Sequence, residues 1–214
     1  MIVYLHGFRS SPNSFKAQLV AARLAELGLE QALCCPTLPV SPLAAIALVE
    51  AEVEAALRVN APAHAAANDG YARVVTVIGS SLGGYLATYL AEKHGWRAVL
   101  LNPAVLPQRD LSAYLGEQPL WHGGGSIVVT PRHLDELRML GVASVTRPER
   151  YYLIACTGDE VLDYREMLAH YPGVKTKLID GGDHAISDFA EHVDDVLAFC
   201  GVRRPGAADL PRRA

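Results

Sequence analysis

The sequence lacks the features that mark membrane proteins and disulfide-stabilised secreted proteins. It contains no run of about 18 or more apolar residues, so we expect no membrane span. Its 4 cysteines form no C-x-x-C pair, which excludes a zinc ribbon and argues against a disulfide framework. Met1 leads straight into an apolar run without a basic stretch, so we expect no secretory signal. Together these absences predict a cytoplasmic protein with free thiols.

The chain also lacks an excess of positive charge. It carries 19 lysines and arginines against 23 aspartates and glutamates, a formal net charge of −4 with neutral histidines. Nucleic acids and anionic membranes attract basic surfaces. We therefore expect neither a nucleic acid nor a membrane surface among its partners.

What the chain does contain is enough apolar sequence for one large core. Half of its 214 residues are hydrophobic and 20% are charged, which excludes disorder over most of the length. This size favours one domain, which we expect to cover residues 1–201. Residues 202–214 are rich in proline, arginine and small side chains, and we expect a flexible tail there. A homodimer is compatible with the sequence.

Apolar strand-like runs alternate with helix-like periodicities along the chain. This alternation predicts an α/β fold with a mostly parallel sheet flanked by helices. The first helix is expected to begin at Ser11-Pro12 and to turn Phe15, Leu19 and Leu24 inward. We expect strands at 2–5, 32–35, 74–78, 98–101, 151–156 and 174–179, a surface loop at 60–71, and a lid-like excursion from the sheet at 103–150.

The most informative motif is Gly79-Ser80-Ser81-Leu82-Gly83, a G-x-S-x-G that follows a strand and opens a helix. A sharp strand-to-helix turn needs small flanking residues, and Gly79 and Gly83 meet that need. The turn would expose the Ser81 hydroxyl at the end of the sheet, beside free amides at a helix N-terminus. The alternative is that Ser80 and Ser81 only cap a helix. We predict that Ser81 is a nucleophile.

A serine nucleophile needs a base, and His184 is the best placed of 8 histidines. It follows the last predicted strand, at the carboxyl edge of the sheet where α/β proteins place their sites. A structural or capping histidine is the alternative. His94 and His192 lie on predicted helices, where solvent exposure is more typical.

The third member of such a site is a carboxylate between the serine and the histidine in the chain. Asp159 directly follows the strand at 151–156 and is our candidate, with helix capping as the alternative. Asp163 lies about one helical turn later and is the second choice. Asp183 is adjacent to His184 and would point elsewhere. Asp159 would fix the His184 tautomer and stabilise the imidazolium.

An acyl-transfer site also needs amide donors for an oxyanion. The Leu82 amide follows the nucleophile, and the Phe8 amide lies in the loop after the first strand, where Gly7 lets the backbone turn close to the substrate. His6 is expected to order this loop by hydrogen bonding. The run 122–125 spells the His-Gly-Gly-Gly oxyanion motif of some lipases, but it follows the nucleophile, so we interpret it as a flexible loop.

With these segments in this order, the chain resembles the α/β-hydrolases, and more narrowly the small bacterial esterases of the YqiA/YcfP family. The resemblance extends from residue 2 to about residue 200. It implies hydrolysis of carboxylic esters, with short acyl chains or acyl thioesters as substrates, and Ser81, Asp159 and His184 as the triad. Like that family, the chain lacks the first two antiparallel strands of larger hydrolases. The matching segments are residues 2–8, 78–85, 157–164 and 181–184.

The expected partner is therefore a small acyl ester or thioester, and the chemistry requires neither a metal nor an organic cofactor. An acyl-CoA thioesterase with the same residues, a peptidase, a lyase and a non-catalytic ligand-binding protein of the same fold remain alternatives. A dinucleotide-binding protein is disfavoured, because no G-x-G-x-x-G follows the first strand. Apolar walls would come from Phe8 and from residues of the excursion, with Leu106, Tyr114, Leu115, Leu120, Trp121, Leu137 and Met139 as candidates.

Overall fold

A computed structural model describes residues 1–60 and 75–202, and its centre is a sheet of six strands that all pair in parallel. The order across the sheet is β2-β1-β3-β4-β7-β8. These six strands are β1 (Ile2–Leu5), β2 (Leu33–Cys34), β3 (Thr76–Ser80), β4 (Arg97–Leu101), β7 (Tyr151–Cys156) and β8 (Lys175–Ile179), and a separate two-stranded sheet joins β5 (Gly116–Pro119) to β6 (Ser126–Val129). The expected α/β architecture with a mostly parallel sheet is confirmed.

Helices cover both faces of the main sheet. The helices are α1 (Phe15–Glu26), α2 (Pro42–Asn60), α3 (Leu82–His94), α4 (Pro107–Asp110), α5 (Pro131–Met139), α6 (Tyr164–His170) and α7 (Val193–Phe199). Helices α1 and α7 pack on one face through residues such as Val20 and Val196. Helices α2, α3, α5 and α6 pack on the other face. The sheet is therefore covered on both sides, which explains why its central strands are continuous apolar runs.

Successive side chains of a strand point to opposite faces of the sheet, so they pack in different cores. In β1, Val3 packs on the α3 side, whereas Tyr4 packs on the α1 side. Cys34 and Cys35 contact opposite cores, as their adjacent positions on an extended segment predict. The four cysteines are free thiols, as expected.

Most element boundaries agree with the sequence pattern, and the start of α1 is the main difference. Helix α3 ends at His94, and the Gly95 that follows it has a φ of 70°, the left-handed cap conformation that glycine favours. Helix α1 begins at Phe15, four residues after Ser11. Phe15 is 53% exposed, so its predicted inward direction was wrong. Leu24 is buried as predicted, on a stripe with Lys16 and Val20.

The expected excursion at 103–150 leaves the sheet after β4 and returns at β7. It contains α4, the β5–β6 hairpin and α5, together with short 3-10 turns. The predicted loop at 60–71 and the predicted tail at 202–214 lie, apart from residues 60 and 202, outside the described residues.

Candidate active site

Ser81 occupies a sharp turn between β3 and α3. Its backbone angles are φ 56° and ψ −121°, a region that non-glycine residues seldom occupy. Such a strained conformation persists only where the surrounding structure enforces it. The turn places Ser81 at the carboxyl edge of the sheet, at the N-terminus of α3.

Two glycines make this turn possible because no side chain would fit at their positions. A Cβ on Gly79 would collide with the Gly83 carbonyl oxygen across the turn. A Cβ on Gly83 would collide with the carbonyl oxygen of Leu5 at the end of β1. The G-x-S-x-G spacing therefore records the close packing of β1, β3 and α3, as the motif predicts.

The structure brings Ser81, His184 and Asp159 into one hydrogen-bonded chain. Ser81 Oγ lies 3.0 Å from His184 Nε2, and His184 Nδ1 lies 2.8 Å from Asp159 Oδ2. The Asp159 side chain is fully buried, and its Oδ1 accepts hydrogen bonds from the amides of Val161 and Leu162, each 2.8 Å long. An Asp159 carboxylate can only accept, so His184 would carry its proton on Nδ1 and leave Nε2 free to accept from Ser81.

The loops that carry Asp159 and His184 are bonded to each other. The Gly158 amide donates to the Gly181 carbonyl over 2.8 Å, and the Gly181 amide donates to Thr157 Oγ1 over 2.7 Å. A Cβ on Gly158 would collide with the Gly182 carbonyl oxygen. Consequently the two loops keep a fixed separation at the ends of β7 and β8.

The two competing aspartates have other hydrogen-bond partners. Asp163 caps α6 by accepting from the Arg165 amide over 2.8 Å. Asp183 accepts from the Ser187 hydroxyl and amide, and these bonds hold the pKa of its carboxyl below the usual range. Of the three candidate carboxylates, Asp159 is the one whose side chain lies within hydrogen-bonding distance of the His184 ring.

The loop after β1 lies directly against Ser81. A Cβ on Gly7 would be 3.2 Å from Ser81 Cβ, so only a glycine lets the backbone pass this close without adjustment. Phe8 and Leu82 both line the cavity that Ser81 faces. The Leu82 amide is also in the first turn of α3, where backbone N–H groups have no partner within the helix. The two residues whose amides are expected to hold an oxyanion therefore border the same cavity as Ser81.

His6 orders this loop. Its Nε2 lies 3.0 Å from the Leu38 amide, which must donate, so Nδ1 carries the proton and donates to the Gly7 carbonyl over 3.0 Å. Burial lowers the pKa of His6, which favours this neutral form. His192 was expected to be solvated, but it is only 7% exposed and contacts Asp188 through Nε2. Its position on the buried face of the last turn-and-helix segment explains the error.

Two residues that support His184 were not identified from the sequence. The Lys16 ammonium donates to the Ala185 carbonyl over 2.6 Å and to the His184 carbonyl over 3.4 Å. Asn102 is fully buried; its amide nitrogen donates to the carbonyls of Asp183 and His184, and its oxygen accepts from the Cys156 amide. A lysine on the buried stripe of α1 and an asparagine at the carboxyl end of a buried strand were the available signals.

Ser81 and His184 open into a cavity of about 650 Å³. This volume lies within the range of small-molecule sites. Of the predicted apolar walls, Phe8, Tyr114 and Trp121 line it, and the Phe8 and Tyr114 rings contact edge to face at 5.8 Å. The other predicted wall residues do not: Leu120 faces a smaller neighbouring cavity, Leu137 is in the core, and Leu106, Leu115 and Met139 are exposed without lining the cavity.

The His-Gly-Gly-Gly run forms the exposed turn between β5 and β6. Gly123, Gly124 and Gly125 have φ values of 82°, 72° and 84°, and nothing lies within 4 Å of a Cβ on any of them. These glycines serve a turn and lie far along the chain from the loop beside Ser81. His122 does line the cavity.

Neither a metal site nor a membrane span stands out in the part of the chain that the structure describes. No three histidine, cysteine, aspartate or glutamate residues cluster as metal ligands within 1–60 and 75–202. Across the same residues, no helix is long and apolar enough to cross a membrane.

A parallel sheet with a strained serine between strand and helix defines the class as the α/β-hydrolase fold. Solved structures with this architecture are similar over most of the chain. The α/β hydrolase domain-containing protein 10 from mouse is 18% identical, with 92% of this chain and 89% of that chain covered and a TM-score of 0.54. An esterase domain from a Rhodothermus marinus protein is 20% identical, with 92% and 83% covered and a TM-score of 0.59. Tomato methylketone synthase I, complexed with 2-tridecanone, is 13% identical, with 94% and 97% covered and a TM-score of 0.63.

The particular family follows from the sequence. A family profile described as the uncharacterised protein family UPF0227 matches residues 1–201. The chain therefore belongs to UPF0227, and the resemblance to the YqiA/YcfP group is confirmed. The solved structures establish the fold; since a methylketone synthase shares it with an esterase, the fold by itself does not assign the reaction.

Proposed function

We propose that this protein is a serine esterase that cleaves small acyl esters through an acyl-enzyme intermediate. The observation that carries the proposal is the hydrogen-bonded chain from Ser81 through His184 to the buried Asp159, at the wall of a cavity of small-molecule size. A fold-only binding protein would have no need of these three groups in this arrangement.

The reaction begins with attack of Ser81 Oγ on the substrate carbonyl carbon. His184 Nε2 accepts the hydroxyl proton, and Asp159 stabilises the imidazolium without taking the proton itself. The Phe8 and Leu82 amides donate to the oxyanion. His184 then protonates the leaving alcohol or thiol, and the carbonyl re-forms as the acyl-enzyme.

The second half of the reaction uses the same groups. His184 removes a proton from water, the hydroxide attacks the acyl-enzyme carbonyl, and Ser81 leaves with the returned proton. The products are a carboxylic acid and an alcohol, or a thiol if the substrate is a thioester. Neither step needs a metal or an organic cofactor.

The cavity supports a short acyl chain. About 650 Å³ accommodates both parts of a small ester, and the Phe8, Tyr114 and Trp121 rings provide an apolar wall. The same residues would also act on a thioester, so we retain an acyl-CoA thioesterase as the second candidate.

The proposal is tested by hydrolysis of p-nitrophenyl esters of increasing acyl length and of matched acyl-CoA thioesters. We expect turnover that is highest with short chains and absent in Ser81→Ala. A preference for thioesters would change the leaving group and keep the residue roles. No turnover on any of these substrates by folded protein would contradict the general esterase proposal.

The role of Asp159 is tested in the same assay by Asp159→Asn with Asp163→Asn as the matched control. Loss of the carboxylate next to a triad histidine lowers kcat by about 10⁴-fold in the best-studied serine enzyme. We expect a loss of that order in Asp159→Asn. Asp163 caps α6, and asparagine caps a helix about as well as aspartate, so its variant should keep nearly all of its stability and a near-normal kcat. The opposite result would assign the acid to Asp163.

A further inference from the structure

A buried tyrosine hydroxyl beside the nucleophile has no partner in the fold. Tyr4 is fully buried in β1 and lines the cavity that Ser81 and His184 face, yet its hydroxyl makes no hydrogen bond among the described residues. Burial raises the pKa of Tyr4, an effect that is partly opposed by the Ser80 and Ser14 hydroxyls, which are close to the Tyr4 hydroxyl but outside hydrogen-bonding geometry. The tyrosine is therefore a neutral hydrogen-bond donor. An unpaired buried hydroxyl destabilises the fold, so a ligand that accepts a hydrogen bond from it would recover that energy.

The N-terminus of α1 borders the same part of the cavity. Ser14, Phe15 and Lys16, the N-cap and the first two helical residues, all line the cavity. The Ser14 hydroxyl makes no capping bond and is buried without a partner, and no acidic residue lies in the first turn. Free amides and the positive end of a 12-residue helix favour a negative charge at this position.

Lys16 adds a full positive charge. It is 9% exposed, and its ammonium donates to the carbonyls of Ala185 and His184. An ammonium has three donors, which leaves one for a ligand in the cavity that Lys16 lines.

The charges around the cavity also favour an anion. Although the whole chain is acidic, the charged residues that line the cavity are Arg9 and Lys16 against Asp110 alone. Asp110 lies on α4, on the side of the excursion, where one of its oxygens accepts from Arg109 Nε over 2.8 Å.

We propose that Tyr4, Ser14 and Lys16 form an anion subsite beside Ser81, and that the preferred substrates are esters or thioesters bearing a carboxylate or phosphate group. This inference rests on the proposed esterase function for its substrate class. The anionic group could belong to the acyl part, as in a monoester of a dicarboxylic acid, or to the leaving group, as in an ester of a phosphorylated alcohol. In either case the carbonyl lies at Ser81 while the anion accepts from the three side chains.

The test measures binding, so that it does not depend on turnover. Ser81→Ala protein is titrated by calorimetry with monomethyl glutarate and with methyl pentanoate, which differ in one terminal carboxylate. A second pair, 2-acetoxyethyl phosphate and 2-hydroxyethyl acetate, places a phosphate in the leaving group. We expect one anionic ester to bind about tenfold or more tightly than its neutral partner, since charge-assisted hydrogen bonds are roughly twice as strong as neutral ones. The pair that shows the preference identifies the source of the charge.

Two variants and one control assign the preference to the subsite. Tyr4→Phe, in the Ser81→Ala background, keeps the ring and removes the unpaired hydroxyl, so the fold should be at least as stable while the preference for the anion falls severalfold. Lys16→Met should remove most of the preference. Tyr152→Phe changes another buried tyrosine, on β7 and outside the cavity lining, and should leave the preference unchanged.

The pH dependence of binding separates this role from a purely structural one. Burial lowers the pKa of Lys16 to about 8, against the opposing influence of Asp183, Cys156 and Asp159. The affinity for the anionic ester should therefore weaken as pH rises through about 8, whereas the affinity for the neutral ester should not. A lysine that only tied down the His184 loop would affect both esters alike.

Several results would overturn the subsite. These are equal affinity within both pairs, no binding of either anionic ester at millimolar concentration, or a preference that survives in both Tyr4→Phe and Lys16→Met. If the anionic ester binds but wild-type protein hydrolyses no ester, the subsite stands and the esterase proposal fails.

Discussion

The turn at Ser81 and the β5–β6 hairpin both contain several glycines, but for opposite reasons. At the turn, a Cβ on Gly79 or Gly83 would collide with backbone of a neighbouring element. In the hairpin, nothing lies within 4 Å of a Cβ on Gly123, Gly124 or Gly125, whose positive φ values serve only the local chain reversal. Glycine is required by lack of space in one region and by backbone direction in the other.

The comparison separates the parts of the site that must be rigid from those that need not be. The proposed nucleophile, base and acid are held at the carboxyl edge of the sheet by backbone-to-backbone packing and by bonds between loops. The hairpin contributes Trp121 and His122 to the cavity from the exposed turn between its two strands. Changes near Ser81 should therefore alter the fold, whereas changes in the hairpin should alter what the cavity admits.

The largest expected effect is that of Gly83→Ala. Its new methyl group would meet the carbonyls of Leu5 and His6, so the end of β1 must move, at a cost of about 3 kcal/mol or more. Gly84→Ala should cost less free energy of unfolding than Gly83→Ala. Its Cβ would lie 2.6 Å from Pro103 Cβ, which is a less severe collision than that of the Gly83 Cβ with the Leu5 carbonyl oxygen. Gly124→Ala meets nothing and should cost about 1 kcal/mol for its φ of 72°. Chemical denaturation measures all three variants.

The order of these three losses is the decisive readout. If Gly83→Ala does not fold, the graded pair Gly84→Ala and Gly124→Ala still gives a comparison. A loss in Gly124→Ala as large as that at the turn would contradict the distinction between the two regions.

A smaller effect on stability is expected from a change at His6, which holds the loop after β1 through its hydrogen bonds to Leu38 and Gly7. Leu38 donates to His6 Nε2, and His6→Gln should cost about 1 kcal/mol by leaving that partly buried amide without a well-placed acceptor. The folded state lowers the pKa of His6, so the unfolded chain takes up the proton first as pH falls. The stability that wild type has over His6→Gln should therefore be full above about pH 6.5 and shrink below it.

Urea denaturation of both proteins between neutral and mildly acidic pH gives this difference directly. Other titrating groups contribute to both curves and cancel in the subtraction. A difference that stays constant or grows as the solution becomes more acidic would show that burial does not hold His6 neutral in the folded state.

The sequence predicts the rigid region well because its signals are local. The spacing of Gly79, Ser81 and Gly83 reflects contacts inside one strand–turn–helix unit, and Asp159 and His184 each follow a strand directly. A parallel sheet brings such strand ends to one edge, so their proximity follows once the fold class is known. Their catalytic roles remain predictions that the proposed assays test.

The parts that were missed depend on contacts between distant segments. Lys16 is buried because its ammonium bonds to carbonyls at residues 184 and 185, and hydropathy in the first turn of α1 favoured Phe15 instead. The hairpin gave no strand signal, because residues 116–119 are mostly exposed and polar and pair only with residues 126–129. Neither arrangement is encoded in the periodicity of its own segment.

The smallest expected effect is that of Arg9→Ala, at the contact between the loop after β1 and the hairpin. The Arg9 guanidinium lies 4.1 Å from the centre of the Trp121 ring, and its Nε donates to the Pro119 carbonyl over 2.5 Å. Exposed cation–π contacts contribute about 0.5–1 kcal/mol, so stability should fall by no more than that. Because Arg9 and Trp121 line the cavity without touching the Ser81–His184–Asp159 chain, KM should change severalfold while kcat is nearly kept.

Arg165→Ala is the matched control, because Arg165 makes a similar exposed contact with Tyr164 at 4.8 Å and does not line the cavity. It should lose comparable stability and leave KM unchanged. If Arg9→Ala instead lowered kcat strongly at constant KM, we would infer that the hairpin not only lines the cavity but also positions the Phe8 amide. The loop after β1, which carries Phe8 and Arg9, would then belong to both regions: the rigid surroundings of Ser81 and the cavity wall that the hairpin forms.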